Sequence, residues 1–168
     1  MRLFTKSFFL LVLTLLMMPT SYSSAQAAAT SPPVITFAYA QEKIRPGEIW
    51  RVYLSANDSG KDMLKIFCTI DQPGGQLYSP DVLFVKKGME GQLSGYLSLP
   101  TNSFRDLWGV NLTLTVIIRD RAGNESKPVR FPLAFNGDSM KPLPAEMEKD
   151  LNRPIGTIHI QLNRRETW

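Results

Sequence analysis

VNLTLTVIIRDRAGNESKPVRFPLAF, residues 110–135, consists of two alternating runs joined by a polar loop. In the first run Val110, Leu112, Leu114, Val116 and Ile118 fall on one face, and Asn111, Thr113, Thr115, Ile117 and Arg119 on the other. That period of two marks a half-buried strand. The second run places Val129, Phe131, Leu133 and Phe135 together, with Arg130, Pro132 and Ala134 opposite. Proline has no amide for a ladder, so the position of Pro132 must face an unpaired edge or a bulge. Between the runs, Asp120 and Asn124 can accept or donate to nearby backbone, and Gly123 can take the positive φ that a tight loop needs. The stretch predicts an antiparallel hairpin.

Upstream, the same period recurs. Residues 34–40 predict a first strand with Ile35, Phe37 and Tyr39 on one face. Residues 49–56 predict a second, with Trp50, Val52, Leu54 and Ala56 inward and Trp50 as the aromatic pin of the core. Residues 63–71 predict a third, on which Leu64, Ile66, Cys68 and Ile70 share a face. Turn-forming residues separate them at Arg45-Pro46-Gly47-Glu48, Asn57-Asp58-Ser59-Gly60 and Gln72-Pro73-Gly74-Gly75. Residues 82–86 and 92–99 then predict a hairpin pair around 87–91, the second strand presenting Leu93, Leu97 and Leu99 with Gly95 among them. In the connection from 100 to 109, Phe104, Leu107 and Trp108 have helical spacing and predict one turn capping the end of the fold. Seven strands with turns between them describe an all-β chain folded as a two-sheet sandwich.

The loop Asp120-Arg121-Ala122-Gly123-Asn124-Glu125-Ser126, set between alternating strands, resembles the D-x-A-G-N-x-S turn of bacterial immunoglobulin-like and fibronectin-III-like modules. The resemblance implies an immunoglobulin-like sandwich in a secreted or surface protein that binds or spaces. It implies no catalytic residue. The disulfide between sheets that antibody-type domains carry is excluded, because Cys68 is the single cysteine. Cys68 is expected to be a small buried apolar side chain rather than a reactive thiol.

Residues 1–27 have the order of a signal peptide. Arg2 and Lys6 precede an apolar run from 8 to 18, and Ala25-Gln26-Ala27 supplies a small-x-small cleavage pattern, with cleavage before Ala28 or before Thr30. The apolar run is shorter than the ~20 residues of a bilayer span. Of the 19 basic residues, Arg2 and Lys6 leave with that segment, so 17 face 15 acidic ones and the net charge falls to about +2. Mixed charges of that kind are not the basic stripe of a nucleic-acid binder. Residues 28–136 are expected to form the sandwich and 137–168 an extension packed on it, with a short helix at 144–151 and an extra strand at 155–162. Ile158, Ile160 and Leu162 alternate there with Thr157, His159 and Gln161. That strand adds either to an edge of its own domain or to another chain.

Catalytic motifs are absent from the sequence. His159 is the single histidine and, with one cysteine, leaves zinc without a ligand set. No phosphate loop and no nucleophile elbow occurs. Asp120, Asn124 and Glu125 are weak calcium candidates, for which turn stabilisation is the competing account. The candidate partner-binding residues are Phe104 and Trp108 in the long loop and Ile158 and Ile160 in the extra strand; Phe67 and Tyr53 face outward, where the tail is expected to cover them. The expectation is an exported, non-catalytic binding or structural module of the bacterial envelope, without cofactor, whose partner is another envelope protein or a surface glycan. Strand addition through 155–162 in an assembly or secretion accessory is the first alternative. A carbohydrate-active hydrolase using Asp81, Glu90 or Asp106 is the second.

Overall fold

The computed structural model describes residues 31–73, 76–101, 107–136, 152–160 and 162. Its strands are β1 (Val34–Ala40), β2 (Ile49–Asn57), β3 (Met63–Gln72), β4 (Gln76–Leu77), β5 (Asp81–Phe84), β6 (Gln92–Pro100), β7 (Asn111–Asp120), β8 (Val129–Ala134) and β9 (Pro154–Thr157). They form two sheets, β1-β2-β6-β9 and β4-β3-β7-β8, with β5 also pairing β3. The architecture is the all-β, immunoglobulin-like two-sheet sandwich that the hairpin predicts. Eight strands precede Phe135 rather than seven, because β4 adds a two-residue ladder to the end of β3. The short helix expected at 144–151 and the segment 1–27 lie outside the described residues. Among the described residues no helix is long and apolar enough to cross a membrane.

The hairpin at 110–135 is β7 and β8, in register from Asn111 against Ala134 to Val116 against Val129. Leu112, Leu114, Val116 and Ile118 are buried against Phe131, Leu133 and Phe135 and the inward face of the other sheet. Pro132 does lie on an edge strand. The neighbouring outward amide, that of Ala134, donates to Glu42 O at 2.8 Å, and Ile44 N returns a bond to Ala134 O at 3.2 Å. The chain leaving β1 thus crosses to the edge of β8 and closes one flank of the sandwich. The turn that follows, with Pro46, Gly47 at φ +89° and Glu48 N on Arg45 O, has the residues a type II turn requires.

Besides Leu64 of β3, which a bulge between Met63 and Lys65 leaves half-buried while Met63 enters the core, three expectations about the strands are corrected. In β1 the pairing runs Ile35 with Ala56 and then Phe37 with Ser55, so Thr36 is an extra residue. This bulge carries Ala38 and Ala40 inward and turns Phe37 and Tyr39 to the outer face, against the single face expected for Ile35, Phe37 and Tyr39. The side chain of Thr36 donates to Ser55 O at 3.2 Å. Second, residues 82–86 and 92–99 are not a hairpin: β5 joins β3 in one sheet and β6 joins β2 in the other. The reason lies in the available partners. Pairing with β2 runs unbroken from Ile49–Pro100 to Asn57–Gln92 and sets Trp50 beside Leu99, Val52 beside Leu97 and Ala56 beside Leu93, whereas β5 offers only four residues.

Third, the extra strand is Pro154–Thr157, shorter than 155–162 and shifted, and it pairs parallel with β6. Ile155, Ile158, Ile160 and Leu162 are all buried in the common core. The segment is fastened to both sheets. Tyr96 N donates to Arg153 O at 2.9 Å and Ile158 N to Ser98 O at 2.8 Å on the β6 side. On the β5 side Lys86 Nζ donates to Pro154 O at 2.8 Å and His159 N to Asp81 Oδ2 at 2.7 Å. Its described residues fill the open flank between sheets; the rest of the tail, expected to cover Tyr53 and Phe67, lies outside the described residues, and Phe67 lies under the Arg119 guanidinium, 4.4 Å from its ring centre.

Candidate binding site

The outer face of the β1-β2-β6-β9 sheet follows from the alternation just described. Burying Trp50, Val52, Leu54 and Ala56 of β2 turns Arg51, Tyr53 and Ser55 outward, and burying Leu93, Leu97 and Leu99 of β6 does the same for Ser94, Tyr96 and Ser98. With the β1 bulge, Tyr39 stands opposite Tyr53, and Tyr53 opposite Tyr96. Three half-buried tyrosines therefore form one row across three strands, which continues to Pro154 of β9. Ring centres are 6.3 Å apart at 39° for Tyr39 and Tyr53, and 5.9 Å apart at 56° for Tyr53 and Tyr96. Tilted contacts at that spacing are attractive, each worth about 0.5–1.5 kcal/mol.

Hydroxyls flank the row. On one side Ser55 and Ser94 share a 3.3 Å hydrogen bond, next to Phe37; on the other, Ser98 and Thr157 share one of 3.1 Å. Arg51 is exposed, its guanidinium carbon 5.0 Å from the Tyr96 ring centre, a cation–π geometry that leaves its N–H groups facing water. Among the described residues that these strands place on this face, Arg51 is the one charged side chain and no carboxylate occurs.

Asp58, Asp62, Glu90, Asp120 and Glu125 gather instead at one end of the sandwich, where backbone amides engage the carboxylates of Asp58, Glu90 and Asp120. Asp58 Oδ1 accepts Gly60 N at 3.1 Å and its Oδ2 accepts Asp62 N at 3.0 Å. Asp120 Oδ1 accepts Asn124 N at 2.7 Å and Oδ2 accepts Asn124 Nδ2 at 2.8 Å, while Ser126 Oγ accepts Ile118 N at 3.0 Å. Gly123, at φ +93°, completes the loop. Glu125 pairs with Arg119. The three weak calcium candidates thus hold the turn together, and among the described residues no group of three or more His, Cys, Asp or Glu could hold a metal. Burial and the neighbouring Asp58 and Asp120 carboxylates hold the Asp62 carboxyl above its ordinary value, partly offset by Arg121. Backbone amides at Glu90 and Gly88 hold the Glu90 carboxyl below its ordinary value. A shallow cleft of about 690 Å³ opens beside them, lined by Asp58, Lys61 and Glu90 among others.

The remaining sequence candidates are scattered. Trp108 stands exposed (52%) on a turn pinned by Val110 N to Leu107 O and Gly109 N to Phe135 O. Phe104 and Asp106 lie outside the described residues. Ile158 and Ile160 are 1% and 7% exposed inside the chain's own core. Asp81 accepts both Val82 N and His159 N. Cys68 is buried, and burial together with the Asp81 charge pushes its thiol up to about 12, keeping it neutral. Of the tyrosine row, sequence reasoning singled out Tyr53 alone as outward. Tyr39 was hidden by the bulge, and Tyr96 by attention to the leucines around it; the alternation Ser94, Tyr96, Ser98 was the available signal.

No protein-family model matches the chain, and no curated protein matches it. Among solved structures, the PKD domain of an M14-like peptidase from Thermoplasmatales archaeon SCGC AB-540-F20 is similar with a TM-score of 0.40 and 14% identity, over 64% of this chain and 99% of that one.

Proposed function

We propose that this chain is an exported, non-catalytic binding module of the bacterial cell envelope, and that the outer face of the β1-β2-β6-β9 sheet is its binding surface. The observation that carries the proposal is the tyrosine row: three aromatic rings set side by side on a sheet face, with β9 at the edge of that face. Aromatic rings on a rigid sheet supply large contact area at little entropic cost. The signal-like residues 1–27 support export. The carboxylates of Asp58, Asp81, Asp120 and Glu90 each accept backbone amides, and the neutral thiol of Cys68 is a poor nucleophile, which supports binding over catalysis.

The full chain should be exported in a bacterial host and should co-sediment with purified cell-envelope material. A variant with Tyr53→Ser and Tyr96→Ser, checked for an intact fold by its near-ultraviolet spectrum, should bind at least about tenfold more weakly, as the loss of stacked rings implies. Equal co-sedimentation of the two proteins, or turnover of an envelope component by the wild type, overturns the proposal.

A further inference from the structure

Resting on that binding face, we infer that its ligand is a single chain of an acidic polysaccharide, with sugar carboxylates read by Arg51. Four observations converge. Neighbouring tyrosine rings are 6.3 and 5.9 Å apart, so an extended chain laid along the row meets the three rings in turn. The rings are inclined to each other by 39° and 56°, so no flat surface touches all three; a chain that rotates from one unit to the next follows them. The paired hydroxyls of Ser55 with Ser94 and Ser98 with Thr157 border the row on both sides, where they can exchange hydrogen bonds with sugar hydroxyls.

Charge decides the ligand class. The face carries the Arg51 cation and no carboxylate among its described residues. An exposed guanidinium beside an aromatic ring matches a carboxylate bidentately. The one cation among the described residues of this face is too few for a polyphosphate backbone, whose binding rests on many phosphate contacts.

The test is affinity electrophoresis of the full chain through gels containing polygalacturonate, its fully methyl-esterified form, or oligothymidylate. Retardation by polygalacturonate is expected, with binding to the uncharged ester at least about tenfold weaker, the worth of a charge-assisted hydrogen bond. Arg51→Gln should abolish the difference between the two polymers, and Tyr53→Ser should weaken both. Equal binding to the ester, preference for oligothymidylate, or no retardation overturns the acidic-glycan assignment. If envelope co-sedimentation persists in that case, the binding face stands with another ligand; if it too is absent, both proposals fall.

Discussion

Gly95 is the residue at which β6 is open to a neighbouring backbone. Its φ is +149°, and a Cβ built there would run into the carbonyl oxygen of Arg153, whose bond to Tyr96 N anchors β9. Gly95→Ala should therefore destabilise the fold by about 1–3 kcal/mol, and amide exchange should accelerate at Tyr96 and Ile158 well before it does in β7. Equal loss of protection in both strands would show that Gly95 does not act through the tail. At this scale the sequence was legible where burial alone decides a residue. Trp50 is fully buried with its indole N–H on Gln41 O at 2.7 Å, and Cys68 lies in the core. It was illegible at Gly95, because the residue that needs the missing side chain is 58 positions away.

Among the elements, β9 and the residues after it add Ile155, Ile158, Ile160 and Leu162 to the core. Deleting residues 152–168 removes the burial of Ile155, Ile158, Ile160 and Leu162, each worth roughly 1.5–3 kcal/mol before the compactness of the unfolded chain is allowed for. A loss of at least about 4 kcal/mol in urea unfolding is expected from that burial, together with exposure of Leu83, which packs beside Gly156. A deletion protein as stable as the full chain would mean that the tail merely rests on the flank. Alternation identified β2, β7 and β8 with their faces, since period two settles which side chains are buried; in β3 it held for Ile66, Cys68 and Ile70 but not for Leu64, where a bulge buries Met63 instead. It does not settle partners: consecutive order predicts β5 and β6 as neighbours, whereas the longer ladder with β2 decides the pairing. Nor does alternation survive a bulge, which is why the outward turn of Tyr39 was missed.

Among the described residues, topology sorts groups: aromatic rings and hydroxyls share one sheet face, while Asp58, Asp62, Glu90, Asp120 and Glu125 meet at one end. Asp62 exposes the consequence for pH. Its folded-state pKa lies above the ordinary 3.8, so the fold binds that proton more tightly than the unfolded chain does. This stabilisation is present below the unfolded value and is lost as pH rises through the folded one. Asp62→Asn should accordingly be more stable than wild type near pH 7, with the advantage shrinking as the buffer approaches about pH 4. Urea midpoints measured across that range check it, and an advantage that grows on acidification would contradict the assignment. That Asp58 and Asp62 share a loop is readable from the chain; the approach of Asp120 is not, because it comes only through folding. The tyrosine row was equally concealed, its members being contributed by three separate strands.

The two flanks of the sandwich are closed at different times during synthesis. Residues 42–44, which meet β8, wait for the hairpin; the flank beside β5 waits longer, until the ribosome has made residues 152–162. Ser98 must then find Thr157, 59 positions along the chain, and joining such distant residues is slow. Until that happens, a nascent sandwich carries an open seam of leucines and an unpaired β6 edge, both inviting to other chains. The late arrival of one short strand thus sets a window of vulnerability, and crowding or a slow stretch of translation before residue 152 would lengthen it.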